Sequence, residues 1–366
     1  MSLPLLHLPL LHLVAAARPN LPKLSVLWAA LAMQPGLATA RLVHTGQHYD
    51  SAMFGAHLGD LGLPAPHHAL GISGGSHADL TGRTMLALEQ LWQRERPALV
   101  VVVGDVDGTL AAALAARKLG LPVVHLEAGL RGGHPDMAEE INRRAVDAIS
   151  TLLWPPSLGA AETLLREGHP PGRVVAVGNT MAASLLAALP AARARALPAG
   201  LTPGGYGVLT LHRAENVDAP ARLAAWLGAV AQVARRLPLA WPLHPRTAKR
   251  MAEAGLAMPD GVLVLPPLGY LDFLGLLARA RLVASDSGGI QEEATMLDLP
   301  CLTLRESTER PETLSGSRLV PPEALADAVD EVLAGAWPHA VRPPLWDDQV
   351  GARMVASLAA FLAERR

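Results

Sequence analysis

Short apolar runs alternate along the chain with longer segments in which apolar residues recur every three or four positions. The runs Leu10 to Val14, Ala40 to His44 and Pro122 to Leu126 read as strands, and Leu152 to Trp154 closes the series. Leu99-Val100-Val101-Val102-Val103 has no polar position, the pattern of a strand covered on both faces in a parallel sheet. Between these runs the helical period predicts helices from Pro22, over 78–92, over 110–119 and over 139–150. A second series follows. Val174 to Val177 is a predicted strand, Met181 to Ala188 a helix, and Leu189 to Gly205, rich in Ala, Pro and Gly, a loop. Further strands are expected at Gly207 to Leu211 and near 239–243, 262–265, 282–284 and 301–304, with a last helix at about 349–364. Two βαβ series without a sequence repeat predict an α/β protein of two Rossmann-like domains facing a cleft. The expected division is 1–172, with the C-terminal helix of about 349–366 packing back on it, and 173–348. In such sheets ligands collect beyond the carboxyl ends of the strands.

Composition narrows the class. Half of the 366 residues are hydrophobic and 17% are charged, enough for two full cores and too apolar for a disordered chain. A net charge of −2, without a basic aromatic-studded patch, predicts no nucleic-acid partner and no membrane partner. The single cysteine, Cys301, excludes a disulfide framework and a cysteine zinc site, and fits a reducing cytoplasm. Leu3 to Ala17 is apolar and ends in three alanines, like a signal peptide. It lacks a positive start and is interrupted by Pro4, His7, Pro9 and His12, so it reads as a buried first strand. The histidines have no metal-ligand spacing, and no metal is expected.

Polar clusters fall at the predicted strand ends. Ser285-Asp286-Ser287-Gly288-Gly289 joins a strand to a helix. Helix N-termini present unpaired N–H groups and partial positive charge, and glycines let a phosphate approach. Asp286 and Ser287 are equally good N-cap residues. Arg18 and Lys23 follow the first strand and can reach a phosphate or a sugar. Asp105 ends the buried strand, where it is either a site carboxylate or an N-cap. Glu127 follows the next strand, and Glu139 and Glu140 open a helix whose dipole they complement. Carboxylates on successive loops can divide acid and base roles. His125, two residues before Glu127, reads as a satisfied core histidine. His212 and Arg213 stand at a strand end and can hold a diphosphate, as can Arg310. Gly71 to Gly75 is glycine-rich but lies in a long connection, and reads as a mobile loop.

In this order, the motifs HLEAGLR (His125 to Arg131), EEINR (Glu139 to Arg143), LHRAEN (Leu211 to Asn216), DSGGIQEE (Asp286 to Glu293) and TERPE (Thr308 to Glu312) resemble the non-hydrolysing UDP-N-acetylglucosamine 2-epimerases over nearly the whole chain. The resemblance implies a glycosyltransferase-B-like fold, a homodimer and no external cofactor. It implies interconversion of UDP-GlcNAc and UDP-ManNAc through elimination and re-addition of UDP. By family position Asp105, Glu127, Glu139 and His212 would be catalytic. Arg18, Lys23, Arg213, Ser287, Gly288, Gly289 and Arg310 would hold UDP, Glu293 the ribose, and Phe273 the uracil. Gln47, His48 and Arg83 match the region that binds a second, activating UDP-GlcNAc. Ala17, Asn20 and Tyr49-Asp50 depart from the common family residues, and in this the chain resembles relatives acting on UDP-sugars oxidised or acylated at other positions, such as UDP-diacetamido-uronic acids. Two further alternatives are a hydrolysing 2-epimerase and a glycosyltransferase of the same fold. The EAGLR segment fits the non-hydrolysing class better.

Overall fold

The computed structural model describes residues 8–46, 55, 58–132, 135–308 and 310–365. The chain divides into two compact units, Met1–Ser184 with Pro344–Arg366, and Leu185–Pro343. Each is built on a six-stranded parallel sheet.

In the first unit the strands are β1 (Leu10–Ala15), β2 (Thr39–His44), β3 (His68–Ala69), β4 (Leu99–Val103), β5 (Val123–Leu126) and β6 (Leu152–Trp154), in the order β3-β2-β1-β4-β5-β6. The second unit has β7 (Gly207–Thr210), β8 (Leu239–Pro242), β9 (Val262–Leu265), β10 (Leu282–Ser285), β11 (Cys301–Thr303) and β12 (Ser317–Leu319), in the order β12-β11-β10-β7-β8-β9. Each order reverses direction once, between β1 and β4 and between β7 and β10. Crevices open at such reversals, at the carboxyl ends of the strands. All five residues of β4 are buried, as an unbroken apolar run requires.

The predicted strand Val174 to Val177 does not form. Val174 makes a single parallel bridge to Leu153, and Val175 N–H donates to Leu153 O at 2.9 Å. Four apolar residues at a sheet edge find one partner strand and pair with it only once, so the run stays irregular and belongs to the first unit. The C-terminal helix (Val350–Ala363) packs on α1 (Asn20–Ala32) in that unit, burying Val350, Met354, Val355 and Leu358. Each such side chain contributes about 1.5–3 kcal/mol of burial. Gly351 makes the contact close, since a Cβ there would lie 2.9 Å from Ala30 Cβ. Trp154 Nε1 donates to Ser357 Oγ at 3.0 Å across the same contact. No helix among the described residues is long and apolar enough to cross a membrane.

Candidate functional site

In the first unit the loops after β1, β2 and β4 surround a cavity of about 680 Å³. Arg18, Asp105 and Glu139 line it, three of the residues the sequence singles out. The parallel register sets Val103 beside Leu126, so the β4 loop with Asp105 runs next to Glu127. The cavity floor is tight. The helix α2 (Asp107–Lys118) starts at its edge, and a Cβ on Gly108 would lie 2.8 Å from Ala16 Cβ. Asn20 closes the β1 loop. Its Oδ1 accepts from Ala16 N–H at 2.9 Å and Ala17 N–H at 2.8 Å.

Glu127 is buried and has φ 71°. A non-glycine residue in this left-handed region costs about 1–3 kcal/mol, and such strain concentrates at functional positions. Lys23 places its ammonium on Glu127 Oε2 and does not line the cavity. This partly buried pair lets Lys23 hold the Glu127 carboxylate. Asp105 is ion-paired with Arg143, and Asn142 Nδ2 donates to its carbonyl at 2.9 Å. Glu139 is exposed on the first turn of the helix α3 (Ala138–Ile149). His125 is fully buried and bonded at both ring nitrogens, the satisfied core histidine that its strand position predicts.

Arg83 is occupied by the glycine-rich segment. Its Nη2 donates to Ser73 O at 3.2 Å and Gly74 O at 2.5 Å, and its Nε to Asp79 at 2.9 Å. It therefore braces Ser73 and Gly74, which form a wall of the cavity. Gln47 and His48 lie outside the described residues.

In the second unit a smaller cavity of about 270 Å³ lies beyond β7, β8 and β10, lined by His212, His244, Phe273, Ser287 and Ile290 among others. The register Thr210↔Ser285 brings the two loops together. The helix α4 (Gly288–Leu297) begins here with Ser287 at its N-cap position, and no side chain caps it. Gly288 and Gly289 thus offer an open helix N-terminus to an anion.

Asp286 is not the N-cap that sequence alone allows. It is fully buried and turns toward the neighbouring loop. Its Oδ2 accepts from the N–H groups of His212 and Arg213, each at 2.8 Å, and its Oδ1 lies 2.9 Å from His212 Nδ1. Burial alone would raise this carboxyl. His212 and the two backbone donors outweigh burial and hold it below the usual carboxylate range. Asp286 thus sits against the His212 ring and anchors the backbone of its loop. The sequence signal for this role was present, an Asp at the end of a strand beside a His-bearing loop, but helix capping explained it as well.

Glu293 is buried on the same helix. Burial, with Glu292 beside it, pushes its carboxyl up to about 8. Arg310 pairs with Glu292, Nε to Oε1 at 2.9 Å.

His12, His68 and Glu95 also cluster, away from the strand ends that carry these loops. Trp92 Nε1, a donor only, bonds His12 Nδ1 at 2.9 Å, so the ring proton lies on Nε2, which donates to Glu95 Oε1 at 2.7 Å. Coordination of a cation through Nε2 would strip that proton and leave an imidazolate. The donor set suits a partly buried hydrogen-bond network, in which Arg41 completes the shell of Glu95.

A family model described as UDP-N-acetylglucosamine 2-epimerase matches residues 30–359. The chain is 41% identical over 300 residues to a Pseudomonas aeruginosa protein named UDP-2,3-diacetamido-2,3-dideoxy-D-glucuronate 2-epimerase, covering 81% of this chain and 83% of that one. It is 39% identical over 315 residues to the UDP-N-acetylglucosamine 2-epimerase of Methanocaldococcus jannaschii, covering 83% and 86%. The crystal structure of the M. jannaschii enzyme in complex with UDP-GlcNAc and UDP superposes with a TM-score of 0.84 at 35% identity, covering 96% of this chain and 99% of that one.

Proposed function

Because the chain belongs to the UDP-N-acetylglucosamine 2-epimerase family, we propose that it interconverts UDP-GlcNAc and UDP-ManNAc by eliminating and re-adding UDP. The acidic set of the first unit carries this reading: Asp105 and Glu139 on one cavity, with Glu127 held in strained backbone on the adjacent loop. Removal of the weakly acidic C2 proton needs a positioned carboxylate while the anomeric C–O bond lengthens. The electron pair left by C2–H forms the C1–C2 double bond, the C1–O pair departs with UDP, and the product is a glycal. Protonation of C2 from the other face and return of UDP to C1 give the epimer. Asp105, Glu127 and Glu139 are assigned the proton transfers.

The leaving diphosphate gathers negative charge as the bond breaks. Ser287, the open N–H groups of Gly288 and Gly289, and His212 held by Asp286 are assigned to stabilise it, with Arg18, Arg213 and Arg310 adding positive charge. Glu293 is assigned the ribose and Phe273 the uracil. The reaction consumes no external cofactor, since the proton and UDP leave and return. The reading carries a homodimer in a cytoplasmic setting, which light scattering and cell fractionation test.

Anion-exchange analysis of UDP-GlcNAc incubated with the enzyme should give UDP-ManNAc. Free N-acetylmannosamine with UDP would assign the hydrolysing class. The 41% identity to the P. aeruginosa protein supports a second reading, 2-epimerisation of a UDP-2,3-diacetamido-uronate. Turnover of that sugar with none of UDP-GlcNAc would select it.

A further inference from the structure

Charged side chains on α3 form a partly buried network that ends on both sides of Asp105. Arg143 pairs with the Asp105 carboxylate and donates to Glu140 Oε2 at 3.1 Å. Glu140 is buried and also accepts from Gly132 N–H at 2.9 Å, while Arg131 Nε lies 3.9 Å away. Arg131 Nη1 reaches Asp147 Oδ2 at 2.8 Å. Asp147 Oδ1 pairs with His125 Nδ1 at 2.7 Å, and His125 Nε2 bonds Gly104 O at 2.9 Å, one residue before Asp105. The path thus returns to the loop where it began.

Asp147 also accepts from Gly129 N–H at 3.2 Å, two residues after Glu127. Glu140, Arg143 and Asp147 lie one and two turns apart on one face of α3, whose first turn carries Glu139. One ring therefore reaches the loop of Asp105, the loop of Glu127 and the helix of Glu139.

We propose that Asp147 is a positioning residue: itself fully buried, it anchors this ring and so holds the three carboxylate-bearing segments in fixed relative geometry. Burial would raise its carboxyl, but His125 and Arg131 outweigh burial and hold it below the usual range, so the anchor is an anion at neutral pH. Both of its oxygens face donors, from His125 and from Gly129 and Arg131. Asparagine removes the anion that pairs with Arg131, and its amide N–H can face His125 only if Nδ1 accepts, with the ring proton on Nε2. The enzymatic part of the inference rests on the epimerase reading, and the structural part does not.

The test uses Asp147→Asn and, at the other side of the ring, Glu140→Gln. Amide hydrogen exchange on the unliganded protein reads the ring directly. In Asp147→Asn we expect exchange at least tenfold faster at Gly129 and also in 104–107, remote in sequence. Acceleration confined to 127–132 overturns the ring. With UDP-GlcNAc in deuterated water, each variant should lose at least tenfold in kcat with KM within threefold. The ratio of deuterium in recovered UDP-GlcNAc to deuterium in UDP-ManNAc should change at least threefold. Loss of folded enzyme alone scales both products together and leaves the ratio fixed. An unchanged ratio in both variants overturns the positioning role. A wild-type enzyme inert toward UDP-GlcNAc would instead sink the epimerase reading, and the exchange pattern would still decide the ring.

Discussion

Replacing Glu293 by Gln should make the protein less sensitive to alkaline pH. In the folded state burial, with Glu292 beside it, pushes the Glu293 carboxyl from 4.5 up to about 8. A carboxyl whose folded value is raised stabilises the fold fully below its unfolded value, and that contribution is lost as pH rises through the folded value. The window is therefore pH 4.5 to about 8. Each pH unit inside it costs up to about 1.4 kcal/mol, so raising the pH from 6 to 8 costs the wild type at most about 2.7 kcal/mol. Local relaxation lowers this, and we expect about 1–2 kcal/mol. Gln has the same shape and does not titrate. Urea unfolding of both proteins at pH 6, 7, 8 and 9 should show the stability of the variant gaining on the wild type by that amount and levelling off above pH 8. A difference between the two that stays constant with pH would refute the reasoning.

Three further substitutions separate the roles assigned to other residues. Gly289→Ala has room, the nearest atom to its Cβ being Ser287 Oγ at 3.9 Å, so melting temperature should hold while UDP binding by calorimetry weakens at least tenfold. Asp286→Asn loses the anion that two backbone N–H groups and His212 converge on. It should cost about 1–3 kcal/mol in urea unfolding and at least tenfold in kcat. Glu127→Gln takes the carboxylate from the half-buried Lys23 ammonium and removes a candidate proton-transfer group. The expected result is at least a hundredfold fall in kcat, with UDP affinity by calorimetry within threefold of wild type.

What sequence made legible was what depends on near neighbours. Leu99–Val103 could be bounded to the residue because five buried positions in succession leave one reading. Val174 to Val177 has a similar texture and failed, because a strand also needs a partner, and pairing is set by tertiary structure. The site residues were legible as types at strand ends, while their partners were not. Nothing local distinguishes Asp147 from any helical aspartate, or ties Lys23 to Glu127 across 104 positions. Asp286 looked like a helix cap until the adjacent loop was seen to rest on it. The network of His12, Trp92 and Glu95 ties His12 to residues 80 and 83 positions away and has no spacing to read.

The most direct test of the central claim is proton and phosphorus NMR of UDP-GlcNAc, labelled with oxygen-18 at the anomeric bridge, with the enzyme in deuterated water. The account predicts UDP-ManNAc carrying deuterium at C2, and oxygen-18 scrambled from the bridge into the other β-phosphate oxygens of recovered UDP-GlcNAc. UDP-ManNAc that keeps its original C2 hydrogen, with the label still in the bridge, would contradict it.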